Sequence, residues 1–231
     1  MIKRVGFPCR WLLIALSFVV FNLTSVQQQA IANETVKRAS FKGDVVLVRG
    51  GFNVFSEGLD SIADKLVKRG IEARVYRHGQ VSEIINSILE NQKKFGKQPI
   101  ILIGHSWGAN AILRIAGVLE RHRLNVRYMV TIAATNPNPA PRNIQKLTNY
   151  YFKQDGWGEP VQASRGFRGR LKNVDMSTQA EVHHFNVDEH PKLQDQIFDN
   201  VLRFLRVKKL ALQKSNSHFV HSAEAGVKPA G

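Results

Sequence analysis

The sequence predicts a single α/β domain built on a mostly parallel sheet with helices on both faces. Apolar, β-branched runs of strand length recur between Gly43 and Met176, and the early ones alternate with segments whose apolar residues fall at helical spacing. Glycine or proline stands at most of the junctions. Strands that alternate with helices pair in parallel, because the chain must cross a face of the sheet before it can return in the same direction. With 231 residues, 43% hydrophobic and 22% charged, the chain can bury the core of one ordinary domain.

Residues 1–32 are set apart from that domain as a signal peptide. Lys3, Arg4 and Arg10 precede an apolar run from Trp11 to Leu23, which suits a signal segment and falls short of the ~20 apolar residues of a membrane span. Ala30-Ile31-Ala32 supplies the small residues that a signal peptidase reads, so cleavage after Ala32 and a periplasmic or secreted protein are expected; retention as an uncleaved anchor is the alternative. Cleavage would remove Cys9, the only cysteine, and with it any disulfide, thiol nucleophile or cysteine metal site. Residues 33–42 lead into a domain over 43–212, and 213–231 form a tail without periodicity.

Within the domain, Gly43 to Phe52 is a buried strand that ends in paired glycines. Ser56 to Arg69 places Leu59, Ile62, Ala63, Leu66 and Val67 on one helical face, and Gly70 ends that helix. Ile71 to Tyr76 is the next strand, and the helix marked by Val81, Ile84, Ile85, Ile88 and Leu89 closes near Gly96. Pro99 to Ile103 is a continuous apolar strand, followed at once by Gly104-His105-Ser106-Trp107-Gly108 and a helix-forming segment to Leu119. Further strands are expected over Val126 to Ala134, Leu147 to Phe152 and Leu171 to Met176, and a closing helix over Asp188 to Arg206.

Gly-His-Ser-Trp-Gly between an apolar strand and a helix is the pattern of a serine held on a strained turn, its hydroxyl exposed above a parallel sheet. On these residues and the alternation around them, the sequence resembles the α/β-hydrolase superfamily, and within it small secreted bacterial esterases, lipases and thioesterases. That resemblance covers Gly43 to Arg206 by pattern and implies an α/β-hydrolase fold, while the ~199 residues left after cleavage leave room for a minimal lid or none. It also implies the chain order nucleophile, acid, histidine, with the acid after a late strand and the histidine after the last one.

Ser106 is accordingly the expected nucleophile, and it needs a base to take its proton. His184 is chosen as that base from Ala180-Glu181-Val182-His183-His184-Phe185-Asn186, with His183 left open as its neighbour; His190 stands at a helix start, and His218 and His221 lie in the tail. Asp155, in a loop with Gly156 and Gly158, is the expected acid, with Asp175 and Asp188 in reserve; Asp155 reads equally as a turn residue, and Asp188 as a cap of the closing helix. An oxyanion hole is expected from the amides of Trp107 and Phe52. Arg49-Gly50-Gly51 stands where many of the family carry His-Gly. Phe55 and Trp157 are expected to line an apolar acyl pocket at the carboxyl ends of the strands.

No nucleotide loop or metal cluster is present in the sequence, so no cofactor is implied. The formal charge of +15, from 33 basic and 18 acidic residues, favours anionic partners, an anionic membrane surface among them. No nucleic-acid motif accompanies the scattered Lys and Arg, so nucleic acid is not an expected ligand. The expected function is a serine hydrolase acting on a small-molecule carboxylic ester or thioester; the alternative is a noncatalytic protein of the same fold that binds an anionic envelope ligand.

Overall fold

In a computed structural model of the chain, the described residues are 42–51, 56–154, 157–179 and 181–207. Six parallel strands form one sheet in the order β2-β1-β3-β4-β5-β6. They are β1 (Asp44–Arg49), β2 (Ala73–Arg77), β3 (Ile100–His105), β4 (Val126–Ile132), β5 (Lys146–Tyr151) and β6 (Arg170–Asp175). The helices are α1 (Glu57–Val67), α2 (Val81–Phe95), α3 (Trp107–Arg121) and α4 (Pro191–Phe204).

The central strands are apolar throughout because both of their faces are covered. Val45 and Leu47 of β1 pack with Leu59, Ile62 and Leu66 of α1 and with Ile197 and Val201 of α4. Val46 and Val48 point the other way, to Ile84 and Ile88 of α2 and Ile112 and Ile115 of α3. At the amino end of β1 the buried Asp44 accepts hydrogen bonds from Arg74 (2.6 Å), Asn91 (2.7 Å) and Gln92 (2.8 Å), tying β1 to β2 and α2. Among the described residues no helix is long and apolar enough to cross a membrane.

Element ends differ from the sequence expectation where tertiary contacts set them. Gly70, at φ +70°, turns the chain out of α1 while the Ile71 amide still bonds the Leu66 carbonyl at 3.1 Å, so β2 starts at Ala73 and not at Ile71. Strand β4 stops at Ile132, because Ala133 takes φ +49°. The closing helix begins at Pro191, and a 3-10 turn (Val187–Glu189) precedes it. His190 is the residue that caps it, its ring accepting from the Leu193 amide; Asp188 is not the cap.

The tightest approach in the fold lies under the elbow. A Cβ on Gly108 would stand 2.0 Å from the Val48 carbonyl oxygen, and one on Gly104 would stand 2.6 Å from the Gly108 carbonyl oxygen. Both obstacles are backbone, so β1, β3 and the first turn of α3 can meet only through glycine. Gly108→Ala should therefore destabilise the protein by about 2–3 kcal/mol, read as a lower midpoint in guanidinium unfolding; an unchanged midpoint would refute this packing.

Candidate functional site

The end of β3 delivers the site. Ser106 follows it at φ +54°, ψ −121°, a conformation that side-chain-bearing residues rarely adopt. The turn is held on both sides: the Ser106 amide donates to the Ile132 carbonyl at 2.8 Å, and the Ser106 carbonyl accepts from the Asn110 amide at 3.2 Å in the first turn of α3. Gly50, after β1, is so close that a Cβ there would lie 2.9 Å from the Ser106 Cβ. The serine thus sits at the carboxyl edge of the sheet, between the loops that follow β1, β3 and β6.

The loop after β6 brings His184 against it. His184 Nε2 is 3.1 Å from Ser106 Oγ, and both side chains are buried. His183, its neighbour, is exposed and serves its own turn, its ring nitrogen accepting from the Phe185 amide. Burial lowers the His184 imidazole below its ordinary value, the Trp157 backbone opposes this in part, and His183 adds to the lowering. Among the described residues, Nδ1 of His184 has no hydrogen-bond partner of good geometry.

Strand order, a strained serine after the third strand and a histidine after the last strand decide the architecture. The chain has the α/β-hydrolase fold.

Asp155, Phe52 and Phe55 lie outside the described residues. Asp155 stands two positions before Trp157, whose ring centroid is 5.0 Å from that of His184. Neither of the two reserve acids hydrogen-bonds His184 Nδ1. Asp175 accepts from the amides of Ser177 (3.0 Å) and Lys153 (3.3 Å), which hold its carboxyl below the usual range. Asp188 is fully buried behind the elbow, with Oδ1 4.0 Å from His105 Nδ1. Its carboxyl is pushed up to about 7 by burial, against the pull of nearby backbone amides that include those of Gly58 and Leu59 at the start of α1.

Three residues that sequence reasoning passed over support the loops around the site. His105 is fixed at both nitrogens, with Nε2 2.8 Å from the His184 carbonyl oxygen and Nδ1 2.8 Å from Ser56 Oγ. Since a carbonyl only accepts, the neutral tautomer that satisfies both contacts carries its proton on Nε2 and takes the Ser56 hydroxyl proton at Nδ1. Ser56 Oγ in turn accepts from the Gly50 amide at 3.1 Å. His105 therefore ties the loop after β1 and the loop after β6 to the elbow. On the other side His78, just past the end of β2, donates from Nδ1 to the Gly50 carbonyl (3.1 Å), and its ring meets Trp107 edge-on at 5.2 Å. The position of His78 at a strand's carboxyl end was a usable signal; the pairing of Ser56 with His105, 49 residues apart, had none.

Above Ser106 and His184 opens a cavity of about 300 Å³, floored by Gly50 and Gly51 and walled by Trp107, Trp157 and Phe185. These three aromatics are 48%, 51% and 42% exposed, so they form the mouth of the cavity and not the core of the protein. The lining suits an apolar group next to a reacting carbonyl. Among the described residues no cluster of acids, histidines or cysteines is placed to hold a metal ion.

No protein-family model matches the sequence, and no curated protein matches it. Among solved structures, a putative hydrolase of the α/β superfamily from Xanthomonas campestris pv. campestris is similar over 70% of this chain and 98% of its own, at 15% identity and a TM-score of 0.42. The RedJ thioesterase of the prodiginine pathway in Streptomyces coelicolor is similar over 72% of this chain and 87% of its own, at 11% and 0.49. Human thioesterase 2 is similar over 73% and 98%, at 12% and 0.47. Identities this low carry no residue role or substrate from those proteins to this α/β-hydrolase-fold chain.

The buried Asp188 has a consequence for stability. A carboxyl that stays protonated in the folded chain while its unfolded counterpart ionises makes stability fall as pH rises from about 4 to about 7, by at most about 1.4 kcal/mol per pH unit. Asp188→Asn should flatten that slope and leave the variant no less stable than the parent at pH 8, as measured by urea unfolding across pH. A variant that keeps the parent's slope would show that Asp188 is not the group responsible.

Proposed function

We propose that this protein is a serine hydrolase that cleaves a carboxylic ester or thioester through an acyl-enzyme on Ser106. The observation that carries the reading is the strained Ser106, with its hydroxyl 3.1 Å from the buried His184 Nε2 at the floor of an aromatic-walled cavity. Strain at a side-chain-bearing residue persists only where the surroundings over-determine it, and here it aims one hydroxyl at one imidazole.

In this mechanism His184 Nε2 takes the Oγ proton as Oγ attacks the carbonyl carbon. The tetrahedral oxyanion is received by the Trp107 amide and a second amide from Gly50-Gly51-Phe52. Collapse breaks the bond to the leaving alkoxide or thiolate, which takes the proton from His184. Water then repeats the sequence on the acyl-enzyme, with His184 again as base, and frees the carboxylic acid and Ser106. Because Nε2 must accept, the His184 proton sits on Nδ1 and needs an acceptor; Asp155 is assigned that part, in the loop that continues into Trp157. A cavity of about 300 Å³ with aromatic walls suits a short or aromatic acyl group. The basic residues and apolar run at the amino terminus support a periplasmic or secreted location.

A fluorophosphonate probe should label the protein on Ser106, and Ser106→Ala should abolish labelling and lower turnover of a p-nitrophenyl ester by about 10³-fold or more. Equal labelling of the Ala variant, or no labelling of the parent, would sink the proposal and leave a binding protein of the same fold. Because burial lowers His184, the base stays neutral to below its ordinary range. The acid limb of kcat/KM should therefore have its midpoint below about 6.5, and a midpoint above 7 in a pH–rate profile would argue for a different base.

A further inference from the structure

The positive charge of the sequence has a location in the fold. The helices return against the strands, so their carboxyl ends gather at the amino edge of the sheet, opposite Ser106. Their last turns carry Lys65, Lys93, Lys94, Arg121 and Arg203, which complements the helix dipoles. Helix ends do not account for the rest, because cations also stand at the strand starts: Lys97 before β3, Arg127 in β4, Lys146 in β5, and Arg168 and Arg170 at β6. From Arg121 to Lys172 the chain has ten basic residues against two acidic ones, Asp155 and Glu159.

Arg123, Arg142 and Arg168 line a surface cavity of about 460 Å³, and Arg123 is shared with a second of about 180 Å³ that Lys97 and Arg127 also line. The one carboxylate in either lining is Glu120, already paired with Arg142 at 2.7 Å. Among the described residues, Lys97, Arg123, Arg168 and Arg170 make no ion pair. On the adjoining flank, partial burial and repulsion from Arg203, Arg170 and Lys172 push the Lys146 ammonium below its ordinary value, so this face is crowded with like charge.

We propose that this amino-edge face docks the protein on an anionic phospholipid bilayer, with the Ser106 cavity turned away from the membrane. A broad array of separate cations matches a plane of phosphates better than it matches one small anion. The large exposed aromatics of the described region, Trp107, Trp157 and Phe185, all stand at the opposite edge, so the basic face lacks the open aromatic platforms on which single-stranded nucleic acid stacks. The docking does not depend on the hydrolase reading.

Co-sedimentation of the full chain with vesicles tests it. Vesicles of phosphatidylcholine alone measure whatever the apolar segment contributes, and the extra binding to vesicles that also contain phosphatidylglycerol measures the basic face. That extra binding should be present at low salt and lost at high salt, and should fall about fivefold per cation removed in Arg123→Gln/Arg168→Gln/Arg170→Gln and, independently, in Lys97→Gln/Lys172→Gln. Both variants should keep the parent's thermal midpoint, phosphatidylcholine binding and fluorophosphonate labelling. No phosphatidylglycerol dependence, parent-like binding by both variants, or tighter binding to a DNA duplex than to the vesicles at equal salt would each overturn the proposal. A chain that docks but is not labelled would refute the hydrolase and leave the docking intact.

Discussion

The close approach of three backbone segments is the constraint on which the site depends. Val48 at the end of β1, Gly104 in β3 and Gly108 in the first turn of α3 meet at distances no Cβ could tolerate. With the strand and helix pinned that near each other, the chain has one residue in which to change direction, and Ser106 takes a positive φ to do it. The strain is held by the apolar burial of β1, β3 and α3 on both faces of the sheet. Its position, just beyond the carboxyl ends of the strands, is where an open parallel sheet leaves room for a ligand.

Beneath that turn a second layer of polar contacts sets the geometry of the reacting groups. His105 holds the His184 main chain on one side and, through Ser56, the Gly50 amide on the other, so the base and the double-glycine loop are registered to the same rigid strand. Asp188 sits behind this layer with its carboxyl pushed up to about 7, out of solvent and close to the His105 ring. Burial there favours the neutral form of the carboxyl, which places no uncompensated charge in the core. The two edges of the sheet are then different surfaces: a cavity walled by aromatics and free of Lys, Arg, Asp and Glu at Ser106, and cations at the strand starts.

Much of this was legible in the chain. The strand and helix alternation marks the parallel sheet because burial on both faces demands continuous apolar runs, as in Ile100 to Ile103. The elbow is local in sequence, so Ser106 could be named from five residues. Element ends were less legible at Ile71, Ala134 and Asp188, where a helix cap, a positive φ and a preceding 3-10 turn decide the boundary. The choice between His183 and His184 rested on a resemblance in one loop, because neighbouring residues differ only in which way the folded loop turns them.

The sequence by itself determined the α/β architecture, the serine on its turn and the excess of positive charge, since each is written in local pattern or in composition. Tertiary structure alone decided that His184 is the histidine against Ser106, that His105, Ser56 and His78 support the loops around it, and that Asp188 is buried behind His105. It also decided that cations scattered through the sequence gather at one edge of the sheet. These are contacts between residues dozens of positions apart, and only the packing of the strands sets how near they lie.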